Sequence, residues 1–156
     1  METRATNISL VLFSLFVAFL LATIPLSNTL NLLRPEWVLL VLLYWLIALP
    51  GRIGLLSAWV IGLLLDLVDG SLLGQHAMTF VIAGFFAVNF HQQFRMFSRV
   101  QQTLLIALTV AIYELIDGLI TQFSGNASFS FLLFLPVFFS ALVWPMIFTL
   151  LRHVRR

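Results

Sequence analysis

The chain has 156 residues, is 62% hydrophobic and only 9% charged, and has a mean hydropathy of +1.09. A soluble domain carries about 25% charged residues, so a chain this apolar cannot cover a water-facing surface, and its solvent is lipid. Cysteine is absent, which excludes disulfides and thiolate chemistry. His76, His91 and His153 lie in separate segments without metal-ligand spacing, and nothing points to a metal or a cofactor.

Six apolar segments follow in chain order, at about 8–25, 37–49, 53–69, 76–90, 103–123 and 131–151. The first has Arg4 ahead of it, like a signal peptide. Its apolar run is too long for an h-region, and no small-x-small cleavage site follows Pro25, so it reads as an uncleaved helix. The second is opened by Arg34-Pro35-Glu36 and closed by Pro50-Gly51, and the third is closed by Gly70. A spanning helix needs roughly 20 residues. The second and fourth segments are short and must thin the bilayer or extend through flanking polar residues; alternatively, the second and third form a re-entrant hairpin around Pro50-Gly51. Gly70-Ser71-Leu72-Leu73-Gly74 reads as a turn. Pro145 falls inside the sixth segment, where proline kinks a helix, and Pro136 falls near its start, where it is tolerated. The Phe-rich stretch from Phe129 to Phe139 seats this helix in lipid. Trp37 fits an interfacial anchor, whereas Tyr44, Trp45, Trp59 and Trp144 fall deeper and read as packing residues.

All eight basic residues are arginines. With six spans and the N-terminus inside, Arg4, Arg52, Arg95, Arg99, Arg152, Arg155 and Arg156 lie on one side and Arg34 on the other. Positive residues favour the cytoplasm, so both termini are expected there. The pI of about 9.9 therefore reflects topology rather than nucleic-acid binding. The tail Arg152-His153-Val154-Arg155-Arg156 also suits anionic lipid.

The acids are distributed the opposite way. Glu36, Asp66, Asp69, Glu114 and Asp117 belong to the outer half of the molecule, with Arg34 alone to answer them. Acids inside a membrane are costly and face the protein interior or a cavity. Stepping by fours through Asp66 gives Gly54, Ala58, Gly62 and Gly70, a row of small residues on one helix face. Such a row lets another helix approach closely and is a candidate packing or partner face. The fifth segment carries a second row, Thr103, Ala107 and Ala111, then Glu114 and Gly118. If the two rows meet, Asp66 and Glu114 form a polar clasp that shares a proton. Two readings stand, a proton relay or outward-facing ligand pocket, and a clasp that sets helix register. His76 is nearest to Asp66 in sequence but belongs to the outer boundary. No Gly-x-Ser-x-Gly elbow and no phosphate-cradling glycine loop is present.

Two stretches carry a family resemblance. LLRPEWVLLVLLYWLIALPGRIG, Leu32 to Gly54, and GLLLDLVDGSLLG, Gly62 to Gly74, resemble signatures of the MreD family of bacterial rod shape-determining inner-membrane proteins. Trp144-Pro145, the length and the arginine-rich C-terminus are similar too. The resemblance implies a non-enzymatic scaffold of the cell elongation machinery. Its partners would be the single-span protein MreC, met directly through a membrane helix, and beyond it MreB, RodA and the RodA-associated transpeptidase. It also implies a fold like that of the six-helix substrate-binding subunits of energy-coupling-factor transporters. The family supplies no catalytic residues to carry over.

The expectation is an all-α integral membrane protein, a single transmembrane domain over 1–156 with six transmembrane helices. Its function would be to maintain rod shape by binding MreC and helping to position peptidoglycan synthesis in the inner membrane. The partner face would be Gly54, Ala58, Gly62, Asp66 and Gly70, with outer-boundary charge from Arg34, Glu36, Asp69 and Asp117. The alternative is a transporter-like subunit that binds a small solute or lipid group at an outward-facing pocket.

Overall fold

The computed structural model describes residues 2–125 and 130–156, with side chains described from Ile8 onward; Phe129 of the Phe-rich stretch lies outside the described residues. The helices are α1 (Glu2–Thr23), α2 (Asn28–Leu32), α3 (Trp37–Ala48), α4 (Leu55–Asp69), α5 (Gln75–Asn89), α6 (His91–Met96), α7 (Arg99–Phe123) and α8 (Leu135–Arg155). A 3-10 turn, Phe131–Phe134, leads into α8. Among the described residues there is no strand.

The hub is α3. It is apolar on every face, and its side chains from Val38 to Ile47 are all buried. A helix without a polar stripe has no face to offer water, so it sits inside the bundle. α1 packs on one side of it, and α5 and α8 pack on others. An indole N–H in an apolar core gains from a partner, and that of Trp45 donates to Ser14 Oγ on α1 at 2.8 Å. α4 lies along α5, and α7 fills the space between α5 and α8.

The outside is as apolar as the core. Phe13 on α1 is 67% exposed, Leu56 on α4 74% and Leu142 on α8 65%. Side chains of this kind on most helices leave a surface suited to acyl chains. The stretches Asn28–Ala48, Arg99–Phe123 and Phe131–Arg155 are long and apolar enough to cross a membrane, and Ile8–Thr23 is a shorter apolar helix. α4 and α5 have 15 residues each, about 22 Å at 1.5 Å per residue, less than the roughly 30 Å of hydrocarbon.

The element boundaries depart from the sequence expectation where caps decide them. α7 begins at Arg99 rather than near Thr103, because Ser98 and Gln101 form a reciprocal capping box. α8 runs unbroken through Pro145 to Arg155. The polar stretches around Asn28 and His91 form the short helices α2 and α6.

The two ends of the bundle differ in charge. At one end Arg34 Nη2 donates to Leu21 O near the close of α1. At the other, Arg95 and Arg155 both reach Ala48 O, the last carbonyl of α3, at 3.4 Å.

A capped turn and an acid cluster at the Arg34 end

Gly62 sets the spacing of α4 and α5. A Cβ built there would fall 2.6 Å from Ala77 N and 2.7 Å from His76 O, so the two backbones touch at this point. Ala58, one turn away, is fully buried. Beyond α4 the chain reverses between two left-handed glycines, Gly70 at φ 66° and Gly74 at φ 98°. That conformation is costly for any residue with a Cβ. The turn expected at Gly70–Gly74 is therefore present.

This reversal brings Asp66 onto the start of α5. The first N–H groups of a helix have no partner within it and are normally capped by a Ser, Thr, Asp or Asn side chain. α5 begins after Gly74, which has no side chain to offer. Asp66 supplies the cap from the neighbouring helix. Its Oδ2 accepts from Gly74 N at 2.8 Å, and its Oδ1 accepts from His76 N at 2.9 Å and from Ser71 Oγ at 2.9 Å. His76 Nδ1 lies 2.8 Å from the same Oδ1. Asp66 is 1% exposed. A carboxylate at a helix N-terminus also gains from the helix dipole.

His76 carries the site onward to α7. Its Nε2 lies 3.9 Å from Asp117 Oδ1. Its ring packs near Tyr113 and Phe80, with centroids 6.2 and 6.3 Å away. Gln75 Nε2 donates to Asp117 Oδ1 at 2.8 Å and to Thr121 Oγ1 at 3.2 Å. The first turn of α5 is thus tied to both α4 and α7.

A second acid pair lies beside it. The carboxyls of Glu36, at the start of α3, and Glu114, on α7, are neighbours. An ionised carboxylate only accepts, so two such carboxyls bond to each other only when they share a proton. Glu114 is buried, and its Oε1 has no hydrogen-bond partner. The Glu36 backbone N–H donates to Ser140 Oγ on α8 at 3.0 Å.

The expected clasp between Asp66 and Glu114 is replaced by two separate pairings. Asp66 sits in the last turn of α4, where the start of α5 takes up its oxygens. Glu114 turns instead to Glu36. The small-residue row serves helix packing within the chain, where α5 covers it at Ala58, Gly62 and Asp66. Gly54 and Gly70 lie at the helix ends, where an added Cβ would meet nothing within 4 Å. Of the boundary charges, Asp69 is exposed, while Arg34 bonds a backbone carbonyl. Among the described residues, the contacts within 4 Å between a carboxylate and a basic side chain are those of His76 with Asp66 and Asp117. No group of three or more His, Asp or Glu side chains among them could hold a metal.

The arrangement fixes the α4–α5 reversal against α7 and α3. It commits both oxygens of Asp66 and the Gln75 amide to other parts of the same chain. The family model described as rod shape-determining protein MreD matches residues 3–154. The chain belongs to the MreD family. It is 34% identical over 157 residues to the rod shape-determining protein MreD of Haemophilus influenzae (strain KW20 / Rd), with all of this chain and 97% of that protein aligned. No solved structure matches it. MreD membership gives the chain a role in rod cell shape, and places the Asp66 cap and the Glu36–Glu114 pair inside a shape-determining membrane protein.

Proposed function

We propose that the chain is a non-enzymatic scaffold of the cell elongation machinery, a single six-span domain of the bacterial inner membrane with both termini in the cytoplasm. It binds the membrane helix of MreC and through it helps to position peptidoglycan synthesis by RodA and its transpeptidase along MreB. The observation that carries this is the family match from residue 3 to residue 154, on a chain whose buried acids are spent on holding its own helices. The six spans are α1, α2 with α3, α4, α5, α7, and the 3-10 turn with α8. This is the arrangement implied by the resemblance to energy-coupling-factor substrate-binding subunits. The orientation is supported by Arg95, Arg99, Arg152 and Arg155, which gather at the end of the bundle away from Arg34.

The seat for MreC is the groove between α1 and α4. It has a volume of about 480 Å³ and is lined by apolar side chains including Leu12, Phe16, Leu56, Val60 and Leu64. The covered row at Ala58 and Gly62 leaves this neighbouring face of α4 to a partner. Asp69, exposed at the end of α4, meets a basic flank of the partner. Packing dominates, because an exposed ion pair contributes only about 0–1 kcal/mol.

Cysteines at Leu12 and Val60, introduced into this Cys-free chain, should cross-link to cysteines along the MreC span in membranes. A cysteine at Leu142, on a different face, should not. Depletion should round the cells while the wall enzymes remain catalytically competent. A purified chain that shows no association with MreC, yet binds or moves a solute across proteoliposomes, would overturn the scaffold reading.

A further inference from the structure

Four arginines converge at the end of the bundle opposite Arg34. Arg95, Arg99, Arg152 and Arg155 line one cavity of about 590 Å³, with Tyr44 and Gln102 among the other lining residues. None of these arginines meets a carboxylate among the described residues. Arg95 and Arg155 reach only the neutral Ala48 carbonyl, both at 3.4 Å. Arg99 lies over the Phe148 ring, 4.8 Å from its centroid. Like charges held around one cavity repel, and an anion bound between them relieves that repulsion.

Gln102 adds a second requirement. It is 7% exposed, and its Nε2 donates to Phe94 O at 2.9 Å and to Phe97 O at 3.2 Å. Those bonds fix the amide so that Oε1 is the free atom, and Oε1 has no partner. A buried acceptor left unmatched costs about 1–3 kcal/mol. Oε1 is shielded even from water, so a hydroxyl on the occupant would satisfy it once the amide shifts toward the cavity, while the arginines call for negative charge.

The surroundings add a third. An apolar groove of about 320 Å³ between α1 and α8 shares Arg155 with the cavity. Another, of about 210 Å³, runs along α5 and α7 and shares Ile47 and Phe94. Anionic oxygens, a hydroxyl and apolar chains on two sides describe one class of molecule, a phosphoglycerol lipid. An acidic peptide would supply the charge but would leave both grooves empty.

We propose that this cavity binds cardiolipin, whose two phosphates meet the four arginines, whose bridging glycerol hydroxyl donates to Gln102 Oε1 once that amide shifts, and two of whose four acyl chains lie along the two grooves. Basic pockets between membrane helices are suited to such headgroups.

The test is a lipid titration of the full chain in mild detergent, read by native mass spectrometry and by thermal melting. Cardiolipin should bind ahead of phosphatidylglycerol, and far ahead of phosphatidylethanolamine. The double variant Arg95→Gln with Arg152→Gln should need about thirtyfold more cardiolipin for half-saturation, since each arginine near a lipid surface is worth about 1 kcal/mol. Arg95→Lys with Arg152→Lys keeps the charge and should lose much less. Should the glutamine variant fail to fold, the lysine variant and the ranking of lipids on the natural chain decide the matter. Equal binding of phosphatidylethanolamine overturns the proposal, as does unchanged cardiolipin binding in a folded glutamine variant. Inorganic pyrophosphate matching cardiolipin in protection would show a soluble anion site instead. A protein that co-purifies with the natural chain and is lost in the glutamine variant would show an acidic partner instead.

Discussion

Asp66 does for α5 what a helix ordinarily asks of its own first residue. Both of its oxygens face donors, Oδ2 toward Gly74 N and Oδ1 toward Ser71 Oγ and His76 N. An amide in its place presents an NH2 to one of those donors. Asp66→Asn should therefore destabilise the purified protein by about 1–3 kcal/mol, the cost of a buried donor left unpaired, measured by melting in detergent. Unchanged melting would show that the cap contributes nothing. The Glu36–Glu114 pair differs, because two neighbouring buried carboxyls are best matched when one of them donates. Glu114→Gln supplies an amide donor of the same shape, and the melting temperature should stay close to that of the natural chain. Glu114→Ala leaves Glu36 without its partner and should cost about 1–3 kcal/mol. That Asp66 matters is legible in the sequence, since an acid within an apolar run must be answered. What answers it is not, because the donors lie eight and ten residues on and reach Asp66 only once the chain has reversed. The available signal is the pair of glycines, Gly70 and Gly74, bracketing Ser71 ahead of His76. A tight reversal at that spacing returns the chain to the last turn of the helix it has just left.

At the scale of elements the controlling contact is α4 on α5. The small-residue row is plain in the sequence, and so is the close packing it permits. Which helix takes the offer is set by the turn after Gly70, which is too short for α5 to pack away from α4. Gly62→Ala should already be destabilising. Its Cβ meets backbone atoms at Ala77 and His76, and backbone cannot swing aside as a side chain can. Overpacking of this kind costs about 1–3 kcal/mol. Gly62→Leu should separate the helices, lift Asp66 off the first turn of α5 and lower the yield of folded protein. At Gly54 an added Cβ meets nothing, so Gly54→Ala should be nearly neutral. Equal effects at the two glycines, by melting or protease resistance in detergent, would rule out the close approach. The long apolar helices are legible from composition alone. The start of α7 is legible only from Ser98 and Gln101 read together as a box. α2 and α6 are hidden because their sequences, NTLNL and HQQFRM, are short and carry no helical periodicity; α6 is anchored by the buried Phe94, while α2 buries no side chain.

For the whole molecule, charge and lipid act together. One end gathers Glu36, Asp66, Glu114 and Asp117 around His76. The other gathers four arginines. A bundle polarised in this way has one favourable orientation, because arginines are retained on the cytoplasmic side. The prediction is read by single cysteines in the Cys-free background. Leu73, 72% exposed in the α4–α5 turn, is a better reporter than Ser71, whose hydroxyl is bonded to Asp66. Leu73→Cys and Ser27→Cys should react in intact cells with a reagent that does not cross the inner membrane. Met96→Cys, at a position 80% exposed beside the arginine cavity, and His153→Cys should react only after permeabilisation. α4 and α5 are the critical legs, since each is only about 22 Å long. If they dip into the bilayer and return without crossing, Leu73 becomes unreactive from outside while Ser27 stays reactive. If they cross, both react, and the bilayer must thin by several ångströms around them, a distortion that costs fractions of a kcal/mol per ångström. Reaction of Met96→Cys in intact cells would reverse the orientation and place the arginine cavity on the outer face.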